Sequence, residues 1–491
     1  MAESIQSIHR RIYTDPNPDT YLQPHPFDLL TRPGARRNSS YTGDTGLGDT
    51  GKGITIAEQN GLMVVRFGRV FSIRANGGSN AGHHMWMSVN GRPVEFLANQ
   101  LPAGVSQKGC EAWTSRACVF NPGDALAEIA RNERLFGGSM PGQYFVDERV
   151  PLSLDTHRAL DINDGSTGRG IGPAYGDFYQ RKDVTLKDLM GEHWGRDMRR
   201  HYREKRAIIE ATMKKELKKM GAKSAREVLV KRLDNSRVPL GNESEFLDRL
   251  SEDRKGIAPY VRSDAKERYQ EVWDNEDLPV TIEEGQGPGL DPYAGIRGDV
   301  TSSRPSSRNI HDGTYGVVQG EDIALRIGVL KIDHMSSVGS RWLPGQMPED
   351  LSDYFQKVHG EVGKTTLRLR DCYYLALPMI QSWRRTAAYN ALVVGYLDSP
   401  VEDQPIPVTA SYTDRRTGKP AVFLPYQDRV NDLVPEYVEM PGWNGQEAAK
   451  AKTPSDLPLN SRLALAFVSE VLDAPVVMAR NGKFVGNNIR W

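Results

Sequence analysis

From Gly46 onward, short apolar runs alternate with stretches whose apolar residues recur at helical spacing, and that alternation predicts an α/β core. Val70–Ile73 reads as a strand leading into the turn Asn76–His83, and Val280–Ile282 as a short buried strand ending at Glu283-Glu284-Gly285-Gln286-Gly287. Ala391–Leu397 and Pro475–Ala479 are further strands, and Pro122–Arg131 is a short helix after an Asn-Pro boundary. In Met198–Met220, Ile209, Met213, Leu217 and Met220 fall at helical spacing, with Gly221 as a stop. Ser224 and Glu227 form a capping-box pattern for a next helix. Asn460–Leu472 reads as a late helix packing near the last strand. Residues 1 to about 40 read as a polar extension in which Pro16, Pro18, Pro24, Pro26 and Pro33 interrupt any helix. The expected organisation is that extension (1–40), then a single domain over 41–491 with a helical region at about 185–275.

Composition narrows the class. The 491 residues suffice for one large core or several smaller ones. Lys+Arg and Asp+Glu both number 63, which argues against a protein that coats nucleic acid. The basic stretch around Met198–Met220 has acidic residues mixed in, so it reads as a solvated amphipathic face. No run of 18 apolar residues occurs, so no membrane-spanning helix is expected, and Met1–Leu30 lacks the apolar core of a signal peptide. The three cysteines, Cys110, Cys118 and Cys372, fit neither a disulfide framework nor a zinc site, and a reducing cytoplasm is the expectation.

The candidate chemistry lies in two glycine-rich turns. Gly46-Leu47-Gly48-Asp49-Thr50-Gly51-Lys52-Gly53 fits the phosphate-loop pattern G-x-x-x-x-G-K, but Gly53 stands where such loops carry Ser or Thr. That hydroxyl normally holds Mg²⁺, so another hard oxygen must replace it, and Asp49 is the candidate. Gly43-Asp44-Thr45-Gly46 duplicates the pattern; Asp49 is preferred because Lys52 follows it in register. Arg36–Tyr41, where a strand should precede the loop, is not an apolar run. The second turn, Asn76-Gly77-Gly78-Ser79-Asn80-Ala81-Gly82-His83, brings a histidine to backbone that a ligand can approach closely, with His84 as an alternative ring. An acid, a base and a phosphate loop suggest phosphoryl chemistry. The bland readings are that the glycines only make turns, that His83 is structural, and that Glu283 and Asp291 only shape loops.

Several ordered blocks then carry a resemblance: Gly48–Gly53 to a GDEGKG motif, Gly77–His83 to GGxNAGH, Gly165–Tyr175 to GTTxxGIGPAY, Glu283–Ser303 to EGAQGxxLD…VTSS, and Met440-Pro441-Gly442-Trp443 to MPGW. The chain from about Gly43 to Trp491 resembles the adenylosuccinate synthetases, which join aspartate to the 6-position of IMP using GTP. The resemblance implies an α/β fold with a central, largely parallel sheet flanked by helices and a P-loop-like nucleotide loop. It implies that Asp49 takes the N1 proton so that O6 attacks the γ-phosphate, and that His83 acts as acid on the phosphates. It assigns Mg²⁺ to Asp49 and the Gly82 carbonyl, and nucleotide phosphate to Gly48, Gly51, Lys52 and Gly53. Asn80, Thr167, Gln286 and Thr301 fall where the purine monophosphate is held, and Arg181 where an arginine enters the neighbouring subunit's site, implying a homodimer. Thr365–Arg370 resembles the aspartate-binding loop, giving Thr366, Arg368 and Arg370, with Val338 from a Val-Gly pair.

The chain also departs from the pattern. Leu367, Leu369 and Ser337 replace a glycine and two arginines of the aspartate site. The T-K-x-D motif that reads guanine corresponds to Val393–Asp398, where only Asp398 survives, so ATP is an alternative donor to GTP. Phage relatives that join aspartate to dGMP also lack that motif, but typically carry serine at the position of Asp49. The open alternatives are therefore an IMP ligase, a phage-type dGMP ligase using ATP, a ligase for another amine, and a non-catalytic nucleotide-binding relative.

Overall fold

The computed structural model describes residues 3–22, 34–162, 166–337, 342–358, 360–363 and 369–491. Its centre is a ten-stranded sheet in the order Asn488–Arg490, Val476–Arg480, Ala391–Gly395, Ile323–Lys331, Arg36–Asp44, Val280–Glu283, Val70–Arg74, Cys110–Thr114, Gln143–Asp147, Val261–Arg262. Neighbouring strands run parallel except at the Val476–Arg480/Asn488–Arg490 edge. Helices cover the sheet, among them Lys52–Phe67, Leu377–Ala387 and Leu459–Leu472, as the connections of a parallel sheet require. The expected strands at Val70, Val280, Ala391 and Pro475 and the helices at Pro122 and Asn460 all form.

The strand before the glycine loop forms as well, which corrects the expectation drawn from its polar sequence. Arg36–Asp44 lies between Val280–Glu283 and Ile323–Lys331. Its serine, threonine and Arg36 side chains are satisfied locally, so burying them costs little. The Ser40 hydroxyl donates to Gln59 Oε1 at 2.8 Å, and Gln59 Nε2 donates to the Thr42 hydroxyl at 3.0 Å. The Ser39 hydroxyl donates to the Arg36 carbonyl at 2.6 Å and accepts from Ala324 N–H at 3.0 Å. At the base of the strand the Arg36 guanidinium donates to the carbonyls of Val272, Trp273, Asn275 and Leu278. Gly43 is glycine because a Cβ there would meet Glu284 Oε2 at 2.0 Å.

The amino-terminal segment is corrected too. Ile5–Thr14 is a helix that finishes before Pro16, and residues 36–40 belong to the central strand. Ser4 caps the helix by accepting from Ser7 N–H at 3.2 Å. Ile5, Ile8 and Ile12 fall at helical spacing and pack into the core that includes Leu459–Leu472. Arg11 pairs with Glu470 at 3.1 Å, and His9 Nε2 reaches the Glu439 carbonyl at 2.9 Å.

Two further expectations change. The long helix is Trp194–Thr212, followed after a break at Met213 by the short Lys214–Lys219. Ser224 and Glu227 do not begin an α-helix: Ala225–Glu227 is one 3₁₀ turn, and the chain continues as a hairpin of Leu229–Lys231 and Arg237–Pro239. Asn235, with φ of 67°, makes the hairpin turn, and Val228 and Val230 are buried. Among the described residues no helix is long and apolar enough to cross a membrane.

His157, Asp177 and His201 form a buried group beside Lys205. His157 Nδ1 accepts from Leu154 N–H at 2.9 Å, so its hydrogen sits on Nε2 and is donated to Asp177 Oδ2 at 2.9 Å. With Lys205 on the other oxygen of Asp177, the group is a satisfied polar network joining three helices. Burial first, and then the Lys205 charge among the neighbours, lowers the pKa of both histidines.

Two outcomes follow from this packing. Ile12→Ala should destabilise the chain by about 2–5 kcal/mol in denaturant unfolding, because the site is sealed by the late helix; no change would mean that the first helix is not part of the core. Because His157 and His201 titrate below the ordinary value of about 6.5, their contribution to stability is full above that pH and is lost as pH falls. The melting temperature should therefore drop on acidification below about pH 6.5, and His201→Gln should flatten that drop.

Candidate active site

The parallel strands bring charge to the carboxyl edge of the sheet: Asp44, Arg74, Glu283 and Lys331 are the last residues of four strands, and all are buried. Asp44 frames the glycine loop, accepting from Gly46 N–H at 2.8 Å, Thr50 N–H at 3.2 Å and the Thr50 hydroxyl at 2.7 Å. The two aspartates of the duplicated motif thus divide the work, Asp44 inside the loop and Asp49 at the cleft. Gly48, Asp49 and Gly51 have φ of 108°, 59° and 97°, so the loop makes three left-handed steps, of which aspartate tolerates one. Lys52 opens the helix Lys52–Phe67, whose first N–H groups suit an anion, and its ammonium lies 3.8 Å from Asp44 Oδ2.

Gly53 now has a reason. A Cβ there would sit 2.6 Å from His83 Cβ and 3.1 Å from its Cα, so the absent hydroxyl makes room for the second turn. His83 is buried against Arg74, whose Nη1 donates to Nδ1 at 3.1 Å and to Glu283 Oε1 at 3.0 Å. The same Nη1 lies 3.5 Å from His83 Nε2, so the guanidinium faces both ring nitrogens. Burial and the Arg74 charge push the His83 pKa down to about 4, outweighing Glu283, so the ring is a neutral hydrogen-bond donor at pH 7. Asp49 is an anion: burial would raise its pKa, but Arg370, Lys52 and Lys331 hold it below the usual carboxylate range.

Asp49, Gly51, Lys52, Gly53, Gly82, His83, Arg370 and Asp398 all line one cleft of about 500 Å³. Gly48 precedes Asp49 in the loop turn. Trp86, Tyr396, Arg480 and Lys483 line the same cleft as Asp398. The Met440–Trp443 block packs behind the Asp398 loop: Trp443 Nε1 donates to the Leu397 carbonyl at 2.8 Å. His84 belongs to the hairpin His83–Val89/Arg92–Ala98 and pairs with Glu95.

A second group lies around the Gly77-Gly78 turn. Gln286 accepts from the Ser303 hydroxyl at 2.8 Å, and Thr301 Oγ1 lies 3.3 Å from Ser303 Oγ. Gln286 Nε2, Asn76 Nδ2 and Ser79 Oγ are buried with no hydrogen-bond partner among the described residues. Asn80 continues this turn. Gly78 packs on the helix Ile171–Gln180, where a Cβ would meet Ile171 Cδ1 at 2.8 Å. Thr167 precedes that helix. Arg181 caps its other end, exposed and left-handed at φ of 61°. Val338, Thr366 and Arg368 lie outside the described residues. Arg370 is not spread on an open loop: it is buried, its Nη2 on Asp49 Oδ2 and its Nη1 on Glu361 Oε2 at 2.8 Å. Arg74, Lys331 and Glu361 were not legible as site residues, because each is an isolated charge in sequence. Glu283 was legible only as a loop carboxylate, whereas Asp291 does shape its loop, accepting from Tyr293 and Ala294 N–H.

A parallel sheet with a lysine-bearing glycine loop at its carboxyl edge and a cleft lined by Lys52, Arg370, Arg480 and Lys483 defines a nucleotide-utilising α/β protein. A profile of adenylosuccinate synthetase matches residues 45–487, and the chain belongs to that family, whose members are ligases of purine biosynthesis. It is 26% identical over 452 residues to the adenylosuccinate synthetase of Salinibacter ruber, covering 89% of this chain and 94% of that one. It is 28% identical over 451 residues to that of Koribacter versatilis, covering 89% and 91%. The fold is shared with fully ligated adenylosuccinate synthetase from Plasmodium falciparum (TM-score 0.75, 20% identity, 92% of this chain and 100% of that chain). It is shared more loosely with the cyanophage S-2L succinoaminodeoxyadenylate synthetase bound to dGMP and dATP as an energy donor (TM-score 0.51, 14% identity, 92% and 94%).

Gly53→Ser, which restores the ordinary phosphate-loop hydroxyl, should cost about 1–3 kcal/mol of stability by overpacking against His83. It should also weaken nucleotide binding; tighter Mg²⁺-nucleotide binding in a titration would show that the turn has room after all.

Proposed function

We propose that this protein is a ligase that joins L-aspartate to the 6-position of IMP, at the expense of a nucleoside triphosphate and through a 6-phosphoryl purine. The observation that carries this reading is that Asp49, Lys52 and His83, from two separate turns, line one cleft. A 6-oxo group leaves poorly. Asp49, held ionised, takes the N1 proton, and the electron density released lets O6 attack the γ-phosphorus while its bond to the bridging oxygen breaks and the nucleoside diphosphate leaves. His83 hydrogen-bonds the phosphoryl oxygens as their charge grows, and Lys52 neutralises the donor's phosphates. The amine of aspartate then attacks C6, the C6–O6 bond breaks so that inorganic phosphate departs with the former O6, and the new nitrogen gives up a proton. Mg²⁺ fits the donor set, because Asp49 presents an anionic oxygen at the cleft and Gly82 lines the same wall. When bound there it would add positive charge opposite the triphosphate. Gln286, Thr301, Asn80 and Thr167 would hold the purine monophosphate, the unmet donors of Gln286 and Asn76 facing that ligand. Arg368, with Val338 and Thr366, would hold the aspartate. Arg181 would complete the purine site of a second copy, which makes the active form a homodimer, with the exposed Phe178 and Tyr179 beside it at the contact.

The stretch Val393–Asp398 supports a second reading. Asp398 is present without the lysine that accompanies it in guanine readers, which favours ATP as donor and raises dGMP as acceptor, as in the phage enzyme. Asp49 argues for IMP, since the typical phage loop carries serine there.

The test crosses IMP and dGMP with GTP and ATP in the presence of aspartate and Mg²⁺, read by mass spectrometry. A succinyl-purine is expected with IMP, and Asp49→Asn should slow it by about 10²–10⁴-fold. Product from dGMP and ATP alone selects the second reading. Nucleotide binding without product in any pairing, unchanged by Asp49→Ala, identifies a non-catalytic relative and rejects both.

A further inference from the structure

Arg370 touches two carboxylates, and the second, Glu361, has no part in the chemistry above. Glu361 is fully buried. Its Oε1 accepts from Lys331 Nζ at 2.5 Å and from the Tyr396 hydroxyl at 3.3 Å, and lies 3.1 Å from His334 Nε2. Its Oε2 accepts from Arg370 Nη1 at 2.8 Å. The backbone repeats the link: Arg370 N–H donates to the Glu361 carbonyl at 3.0 Å, and Val362 and Leu369 form a β-bridge.

The partners of Glu361 come from the frame of the sheet. Lys331 ends the strand Ile323–Lys331, which neighbours Arg36–Asp44, and Tyr396 follows the next strand, Ala391–Gly395. His334 is itself held through Nδ1, 2.7 Å from Asp333 Oδ1. Glu361 is thus tied to two strand ends, and Arg370 is tied to Glu361. The free prong of the guanidinium reaches Asp49, whose own loop is glycine-rich and whose side chain is 39% exposed. A planar guanidinium gripped on one side fixes the direction of its other side, which a lysine does not. Charge also balances, Lys331 and Arg370 against Glu361 and Asp49. Burial opposes ionisation of Glu361, but Lys331, His334 and Arg370 hold it well below the carboxylate range.

We propose that Glu361 is the positioning residue for Asp49, acting through Arg370 to fix the direction of the loop carboxylate in the cleft. This rests on the reading of Asp49 as base and metal-side oxygen, and it adds a residue that touches neither substrate nor nucleotide.

The test measures binding of fluorescent ATP and GTP analogues with Mg²⁺ and with EDTA, for the wild-type chain, Glu361→Gln, Asp49→Asn and the double variant. Glu361→Gln should weaken Mg²⁺-dependent binding by about 10–100-fold, the usual cost of removing a residue that orients a metal ligand. Binding in EDTA should stay within about twofold, and the double variant should bind no more weakly than Asp49→Asn, because both changes break one unit. Equal loss with and without Mg²⁺, additive losses, no loss, or wild-type binding indifferent to Mg²⁺ would each overturn the proposal. If Glu361→Gln does not fold, Arg370→Lys, which keeps the charge but not the two-pronged grip, carries the same expectation. Turnover gives a separate arm: in Glu361→Gln, kcat should fall about tenfold with KM for the purine within about threefold, and the reverse pattern overturns the proposal. A wild-type chain that binds Mg²⁺-nucleotide but makes no succinyl-purine sinks the ligase reading, and the binding comparison still decides Glu361.

Discussion

A charged side chain buried at the end of a strand needs an opposite charge within reach, and this protein meets that constraint repeatedly along one edge of its sheet. Arg74 and Glu283 are register partners on adjacent strands and form an ion pair at 3.0 Å. Asp44 faces Lys52, and Lys331 faces Glu361. Leaving one partner of such a pair unmet costs on the order of 3–5 kcal/mol, so each pair specifies where its loop returns. The parallel arrangement makes this possible, because it places the carboxyl ends of successive strands side by side and opens every following loop over the same edge.

The cleft is built from these pairs outward. Asp44 satisfies the glycine loop from within, which frees Asp49 to stand at the surface of the cleft. Glu283 holds Arg74, and Arg74 holds His83, so the imidazole is set by a strand two positions away in the sheet from the glycine loop. Glu361 holds Arg370 against Asp49. The cleft thus holds an ionised carboxylate, Asp49, beside a neutral imidazole, His83. Both states are consequences of the charges behind them.

Much of the architecture was legible because it is written locally. Alternating apolar runs marked the strands at Val70, Val280 and Ala391, and the glycines at 48, 51 and 53 marked backbone that only a loop with left-handed steps or a close approach explains. The central strand was not legible, because Arg36–Asp44 hides its burial: Ser40 and Thr42 are satisfied by Gln59 on the following helix, and no pattern within the strand reveals that partner. The amino-terminal helix was hidden by prolines that follow it. The capping pattern at Ser224 was overridden by β-branched residues that bury themselves in a hairpin.

The amino-acid sequence by itself determined the phosphate loop, the histidine turn, the α/β alternation and the family, since each depends on residue types at short, ordered spacing. Tertiary structure alone decided what the other aspartate of the duplicated motif does inside the loop, why residue 53 is glycine, and that Arg370 is shared between Asp49 and Glu361. The reason is distance along the chain. Local conformational preference reaches a few residues, whereas Asp49 and Arg370 are separated by 321 positions and meet because Glu361, held on the strand end at Lys331, ties Arg370 beside the glycine loop.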